Sequence, residues 1–168
     1  MRNKLNLAKQ CAIKQHKGQY RKNNKTPYWH HLRDVVNNLE IMGITDESIL
    51  CAGWLHDIIE DTSFDFDDVS KSFDIKIAQI DADVTKETRL TKNQQEKNYL
   101  KQLVESSWQA KVVKLGDILA NISDLKNSEL TKKQKIIQIK YKIKYLGAIK
   151  SGIIANKSKI PNFVLKLF

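Results

Sequence analysis

The chain has 168 residues, of which 41% are hydrophobic and 29% charged, which suits one domain with a real core and excludes a disordered protein. No apolar run approaches the roughly 18 residues a membrane span needs, and the N-terminal run MRNKLNLAKQ lacks the apolar stretch of a secretory signal. The formal net charge of +10 points either to a polyanionic partner or to lysines spread over solvated faces; most are read as the latter, with a few lining a phosphate site.

In chain order, Leu5, Ala8, Ala12 and His16 form the first helical stripe. Cys11 lies in this pattern and Cys51 in a later one, and both read as reduced core residues of a cytosolic protein. Leu32, Val35, Val36, Leu39 and Met42 form a second stripe that ends at Gly43, a C-cap. Thr45, Asp46 and Glu47 open a third helix, which runs through Ile49, Leu50, Ala52, Leu55, Ile58 and Ile59. It is apolar nearly all round, and so should be the central, most buried helix. Further helices are predicted at about 67–83, 94–106 and 109–125. The run QIKYKIKY (138–145) alternates as a strand does, but the pattern over 132–149 reaches helix length and an isolated strand has no partner, so a helix is predicted. The reading is all-α. No linker or repeat is visible, which predicts a single domain over 1–168, with a motif-bearing part at about 5–125 and a lysine-rich helical segment at about 126–168.

Chemistry concentrates in WLHDIIEDT. His56 and Asp57, adjacent in an apolar helix, are costly to bury unless something binds them, and a divalent cation removes that cost. A hydrogen-bonded pair at a helix end is the alternative. Glu60 and Asp61 follow one turn later, where two carboxylates beside a metal could orient a water and move its proton; otherwise they are an exposed acidic helix end. In VVKLGDILANISDL, Asp117 and Asn121 lie one turn apart on an apolar helix, so Asp117 needs a cation or donors.

The ordered runs His16-Lys17-Gly18-Gln19-Tyr20-Arg21-Lys22, Pro27-Tyr28-Trp29-His30-His31-Leu32, Leu55 to Thr62, Val84-Thr85-Lys86 and Lys114 to Asn121 resemble the HD hydrolase domain of RelA/SpoT homologues, over about residues 5 to 125. The resemblance implies a compact multi-helix bundle whose central buried helix carries part of a metal site. It implies one manganese ion held by His31, His56, Asp57 and Asp117, with Glu60 and Asp61 positioning the attacking water. It also implies nucleotide contacts from Arg21, Lys22 and Asn121, and Lys86 is a further candidate to offset substrate charge. His30 is then a surface or rim residue, and His16 packs at a helix end. The chain departs from the family pattern at Leu32 (usually proline), Asp74 (usually glycine), Asp81 and Asp83 (usually more apolar) and Asp124 (often threonine). Asp124 puts the identity of the nucleotide in question.

The activity so implied is removal of the 3′-pyrophosphate from ppGpp or pppGpp by a cytoplasmic, manganese-dependent enzyme, with a nucleotide as partner and neither membrane nor nucleic acid expected. Two alternatives stand beside it. One is an HD-type phosphatase of another nucleotide, such as NADPH or a nucleoside phosphate. The other is a catalytically retired basic module that binds nucleic acid or the ribosome, motivated by the lysines of 132–150.

Overall fold

The computed structural model describes residues 2–168, and among these the regular structure is helical, with one isolated bridge between Tyr20 and Pro27. Ten α-helices follow one another: α1 (Arg2–Gln15), α2 (Trp29–Ile41), α3 (Glu47–Leu55), α4 (Ile58–Asp61), α5 (Phe66–Ser72), α6 (Ile75–Val84), α7 (Lys92–Glu105), α8 (Trp108–Asn127), α9 (Lys132–Ala155) and α10 (Asn162–Leu165). No described helix is long and apolar enough to cross a membrane.

α3 is the hub. Every residue from Ile49 to Leu55 is buried, and the helix packs against α1, α2, α6 and α8. Asp46 starts it, its side chain accepting from the Ser48 amide at 2.8 Å. Gly43, at φ +83°, turns the chain out of α2 in a conformation that L side chains rarely adopt.

Two other glycines let three helices come close. A Cβ on Gly53 of α3 would meet Leu39 Cδ1 at 2.7 Å and Val36 Cγ2 at 3.1 Å. One on Gly116 of α8 would meet Leu39 Cγ and the Val35 carbonyl oxygen, each at 3.3 Å. α2 therefore lies close against α3 and α8 through Val35, Val36 and Leu39, one to two turns along α2 from His31.

Two predicted helices are each broken in two. The third stops at Leu55, and Asp57, at φ −108° and ψ 1°, leaves the helix before α4 restarts at Ile58. The fourth divides at Phe73 and Asp74, where Asp74 caps α6 by accepting from the Ile77 amide at 2.9 Å and also binds Lys4 Nζ at 2.7 Å. The ambiguous C-terminal run is helical from Lys132 to Ala155 and packs on α7 and α8 through Tyr145, Ile149 and Ile153. Its Thr131–Gln134 capping box supplies the helix start.

Candidate metal centre

His31 lies in the first turn of α2, His56 closes α3, Asp57 occupies the break before α4, and Asp117 is midway along α8. Their polar atoms converge. His31 Nε2 is 3.2 Å from Asp117 Oδ1 and 3.7 Å from Asp57 Oδ2; His56 Nε2 is 3.0 Å from Asp57 Oδ2 and 3.8 Å from Asp117 Oδ1. The break after Leu55 explains how two consecutive side chains reach one point: on a continuous helix they would diverge by about 100°.

The set fits a divalent cation. His56 Nδ1 is 3.0 Å from the Gly53 carbonyl oxygen, which only accepts, so Nδ1 carries a hydrogen and Nε2 is the atom turned to the cluster, where an ion would take the place of its proton. That Nε2 is buried and has no hydrogen-bond partner. His31, His56 and Asp117 each offer a ligand atom within 4.8 Å of the others, and Asp57 stands beside both imidazoles; imidazole nitrogens with carboxylate oxygens are a donor set for a first-row divalent metal. Burial lowers the basicity of His56, but the charges of Asp57 and Asp117 outweigh it and push its pKa up to about 9. Burial raises Asp57, and the neighbouring His56 more than offsets this, holding the carboxyl below its usual range.

The ligands are themselves held. Lys114 Nζ donates to Asp117 Oδ2 at 2.7 Å from one turn back on α8, and the Asn121 amide donates to Asp117 Oδ1 from one turn ahead. Tyr28 donates to Asp57 Oδ2 and stacks on His16, centroids 5.0 Å apart. Supports of this kind set ligand orientation and basicity.

Glu60 and Asp61 lie on the single turn of α4. Glu60 is half-buried, and its Oε2 accepts from the Lys86 amide at 3.0 Å. Asp61 is exposed, and its carbonyl oxygen accepts from Gln19 Nε2 at 2.8 Å. Burial first, and the charge of Asp57 with it, raises the pKa of both carboxyls.

A cavity of about 270 Å³ opens beside His31, lined by Arg21, Lys22, His30, Asn121, Asp124 and Lys142 among others. Arg21 donates to Asp124 Oδ2 through Nε at 2.9 Å and Nη2 at 2.5 Å, and to Asn121 Oδ1 at 3.2 Å. Arg21, Lys22 and Asn121 are thus brought together, with His30 at the rim. Lys86 does not line this cavity. Its ammonium lies 5.0 Å from the Tyr99 ring and 5.3 Å from the Tyr145 ring, and its main chain holds Glu60. Sequence reasoning missed Lys114, Tyr28 and Lys142. Lys114 left a signal, a cation three residues before a buried Asp on the same helix face; Lys142 was hidden in the alternation around it.

An all-helical bundle with a His-His-Asp-Asp cluster at its centre defines a metal-site helical protein. The chain belongs to the HD domain family, whose model matches residues 8–143. It is 37% identical over 118 residues to the guanosine-3′,5′-bis(diphosphate) 3′-pyrophosphohydrolase MESH1 of Drosophila melanogaster, covering 69% of this chain and 66% of that protein. The corresponding Homo sapiens protein is 37% identical over 116 residues, covering 68% and 65%. The chain thus spans just under two thirds of the length of these relatives. In a solved structure described as a metazoan ortholog of SpoT that hydrolyzes ppGpp, the match covers 88% of this chain and 85% of that one, with 31% identity and a TM-score of 0.82. A bacterial guanosine-3′,5′-bis(diphosphate) 3′-pyrophosphohydrolase of Aquifex aeolicus is 28% identical over 165 residues, 23% of its own length.

Proposed function

We propose that this protein hydrolyses guanosine 3′,5′-bis(diphosphate), breaking the bond between the 3′ oxygen and its phosphorus to release pyrophosphate and guanosine 5′-diphosphate. The convergence of His31, His56, Asp57 and Asp117 around the unpartnered His56 Nε2 carries the reading, and the named activities of the relatives support it. In the cell we assign manganese to the centre. When bound there, the ion supplies Lewis-acid stabilisation of the phosphoryl oxygens and a more acidic water.

The chain's own residues do the rest. Glu60, its basicity raised by burial and anchored by the Lys86 amide, takes the proton of the attacking water. Asp61 helps to orient that water, and the proton taken up by Glu60 passes to the 3′ oxygen as its bond to phosphorus breaks. Arg21 and Asn121 grip the nucleoside, and Lys22 offsets phosphate charge. Both cysteines are free, consistent with a reducing cytoplasm.

A second reading keeps the chemistry and changes the nucleotide. Asp124, an acceptor-only group in a cavity otherwise rich in cations, favours it. A catalytically retired basic module has no physical need for an intact ligand set. Purified protein with manganese should release pyrophosphate from ppGpp faster than phosphate from NADPH or nucleoside phosphates. A reversed preference would establish the second reading.

A further inference from the structure

The net charge of +10 is not spread over the chain. All 19 acidic residues lie at or before Glu129, together with 19 of the 29 lysines and arginines, so residues 1–129 are formally neutral. The 39 residues that follow carry ten lysines, no arginine and no acidic side chain. Among the described residues, none of those ten lysines is paired with a carboxylate side chain, whereas Lys4, Arg21, Lys76 and Lys114 of the earlier part all are. Charge segregated in this way marks a surface for an anionic partner.

The same segment leaves apolar side chains in solvent. Ile136, Ile139, Ile143 and Ile154 of α9, and Phe163 and Leu167 beyond it, are between 43% and 61% exposed. At 3.6 residues per turn the first three share one face of α9, and Ile154 returns to it three turns on. Tyr145 and Ile149 hold the roughly opposite face against the body of the protein. None of the exposed isoleucines lines the cavity beside His31, to which α9 contributes Gln138 and Lys142. The outer face therefore belongs neither to the core nor to the site described above. Lys133, Lys140 and Lys144 run along one edge of it, and Lys132 and Lys150 lie within it, all exposed. Lys150 Nζ donates to the Phe168 main-chain oxygen at 3.3 Å, which sets the end of the chain beside this face.

A row of isoleucines edged by unpaired lysines suits a partner that is anionic and apolar at once. Nucleic acid is anionic, but it is gripped by arginine forks and stacked aromatics rather than by aliphatic side chains, and this segment has no arginine. A second copy of the chain would set lysines against lysines. A bilayer with acidic headgroups meets both features: its surface attracts the lysines and its acyl boundary takes up the isoleucines. We propose that the outer face of α9, with the chain end beside it, docks on the surface of a bilayer carrying anionic lipids, the helix lying in the plane of the interface. Such binding needs no spanning helix, and none is described. No membrane is expected from the sequence, where nothing shows which side of α9 meets the core.

The test sediments the full chain with vesicles of phosphatidylglycerol and phosphatidylcholine in equal parts, or of phosphatidylcholine alone. The wild type should bind the mixed vesicles roughly 100-fold more tightly than the neutral ones, and the difference should shrink as salt is raised from about 0.1 M to about 1 M. Ile139→Ser with Ile143→Ser should weaken binding to the mixed vesicles roughly tenfold, and Lys140→Gln with Lys144→Gln should do the same. Both double variants should keep the melting temperature and metal affinity of the wild type, since neither pair touches the core or the metal cluster. Failure to bind the mixed vesicles, equal binding to both kinds, or binding that the isoleucine pair leaves unchanged overturns this docking. A single-stranded RNA oligonucleotide bound more tightly than the mixed vesicles overturns it in favour of nucleic acid. A dimer in sedimentation equilibrium that the isoleucine variant dissolves overturns it in favour of a second copy.

Discussion

Tyr28 donates its phenolic hydrogen to Asp57 Oδ2 at 2.6 Å, the same oxygen that faces His31 and His56. Burial first, and the charge of Asp57 with it, raises the tyrosine's pKa, so the phenol remains a donor throughout the physiological range. Tyr28→Phe removes this donor and little volume. Divalent-metal affinity should fall by about 10- to 100-fold, the usual cost of losing a ligand's support, with an unchanged melting temperature for metal-free protein. Competition against a chromophoric chelator measures it; equal affinities would reduce Tyr28 to a packing residue.

Metal binding should depend on pH in a stated direction. In metal-free protein His56 has a pKa of about 9, so below that value the ion must displace a proton from Nε2. Affinity should rise about tenfold per pH unit between pH 6.5 and 8, with one proton released per ion. A flat profile would mean that His56 is neutral without the ion, and that the charges of Asp57 and Asp117 do not act on it as described.

Asp81 is fully buried in α6, and neither carboxylate oxygen has a hydrogen-bond partner. Burial raises its pKa well above the usual value. For an acid raised on folding, stability is full below the unfolded-state pKa and is lost as pH climbs through the folded-state value. Asp81→Asn, which mimics the neutral acid, should therefore melt higher than wild type at pH 7.5 and lose that advantage near pH 4. A gain of about 1 kcal/mol corresponds to about 2–4 °C in a chain of this size. Differential scanning calorimetry at the two pH values decides; a pH-independent difference would show that ionisation is not the cause.

Gly53→Ala places a methyl 2.7 Å from Leu39 Cδ1 in a region with both residues buried. Relief comes from repacking of Leu39 and Val36 in the tight core or from α2 moving away from α3, and the latter separates His31 from His56. The substitution should cost about 1–3 kcal/mol of stability and weaken metal binding as well. Denaturant unfolding and metal titration of the same variant measure both effects, and lost stability with intact metal affinity would uncouple the glycine from the site.

The helical class was legible because apolar residues recur at three and four along most of the chain, and α9 followed once length was weighed against its alternating core. The break at His56 and Asp57 was not. Its flanks, Leu55 and Ile58, are both fully buried, so hydrophobicity runs through the break without a change of phase. The break at Asp74 carried a readable capping aspartate, but the apolar spacing on either side masked it. His56, Asp57 and Asp117 stood out as polar groups in apolar surroundings. Tyr28, Lys142 and Gly53 did not, because their roles depend on which helix lies opposite.

The central claim is that His31, His56, Asp57 and Asp117 hold one divalent ion that serves phosphate-ester hydrolysis. The direct measurement is pyrophosphate release from ppGpp by chelator-stripped protein as manganese is added back, beside a folded Asp117→Asn variant. Release that rises to a plateau at one ion per chain in the wild type, and stays at background in the variant, is the predicted result. Release at full rate without added metal, or an equal rate in the variant, would contradict the claim.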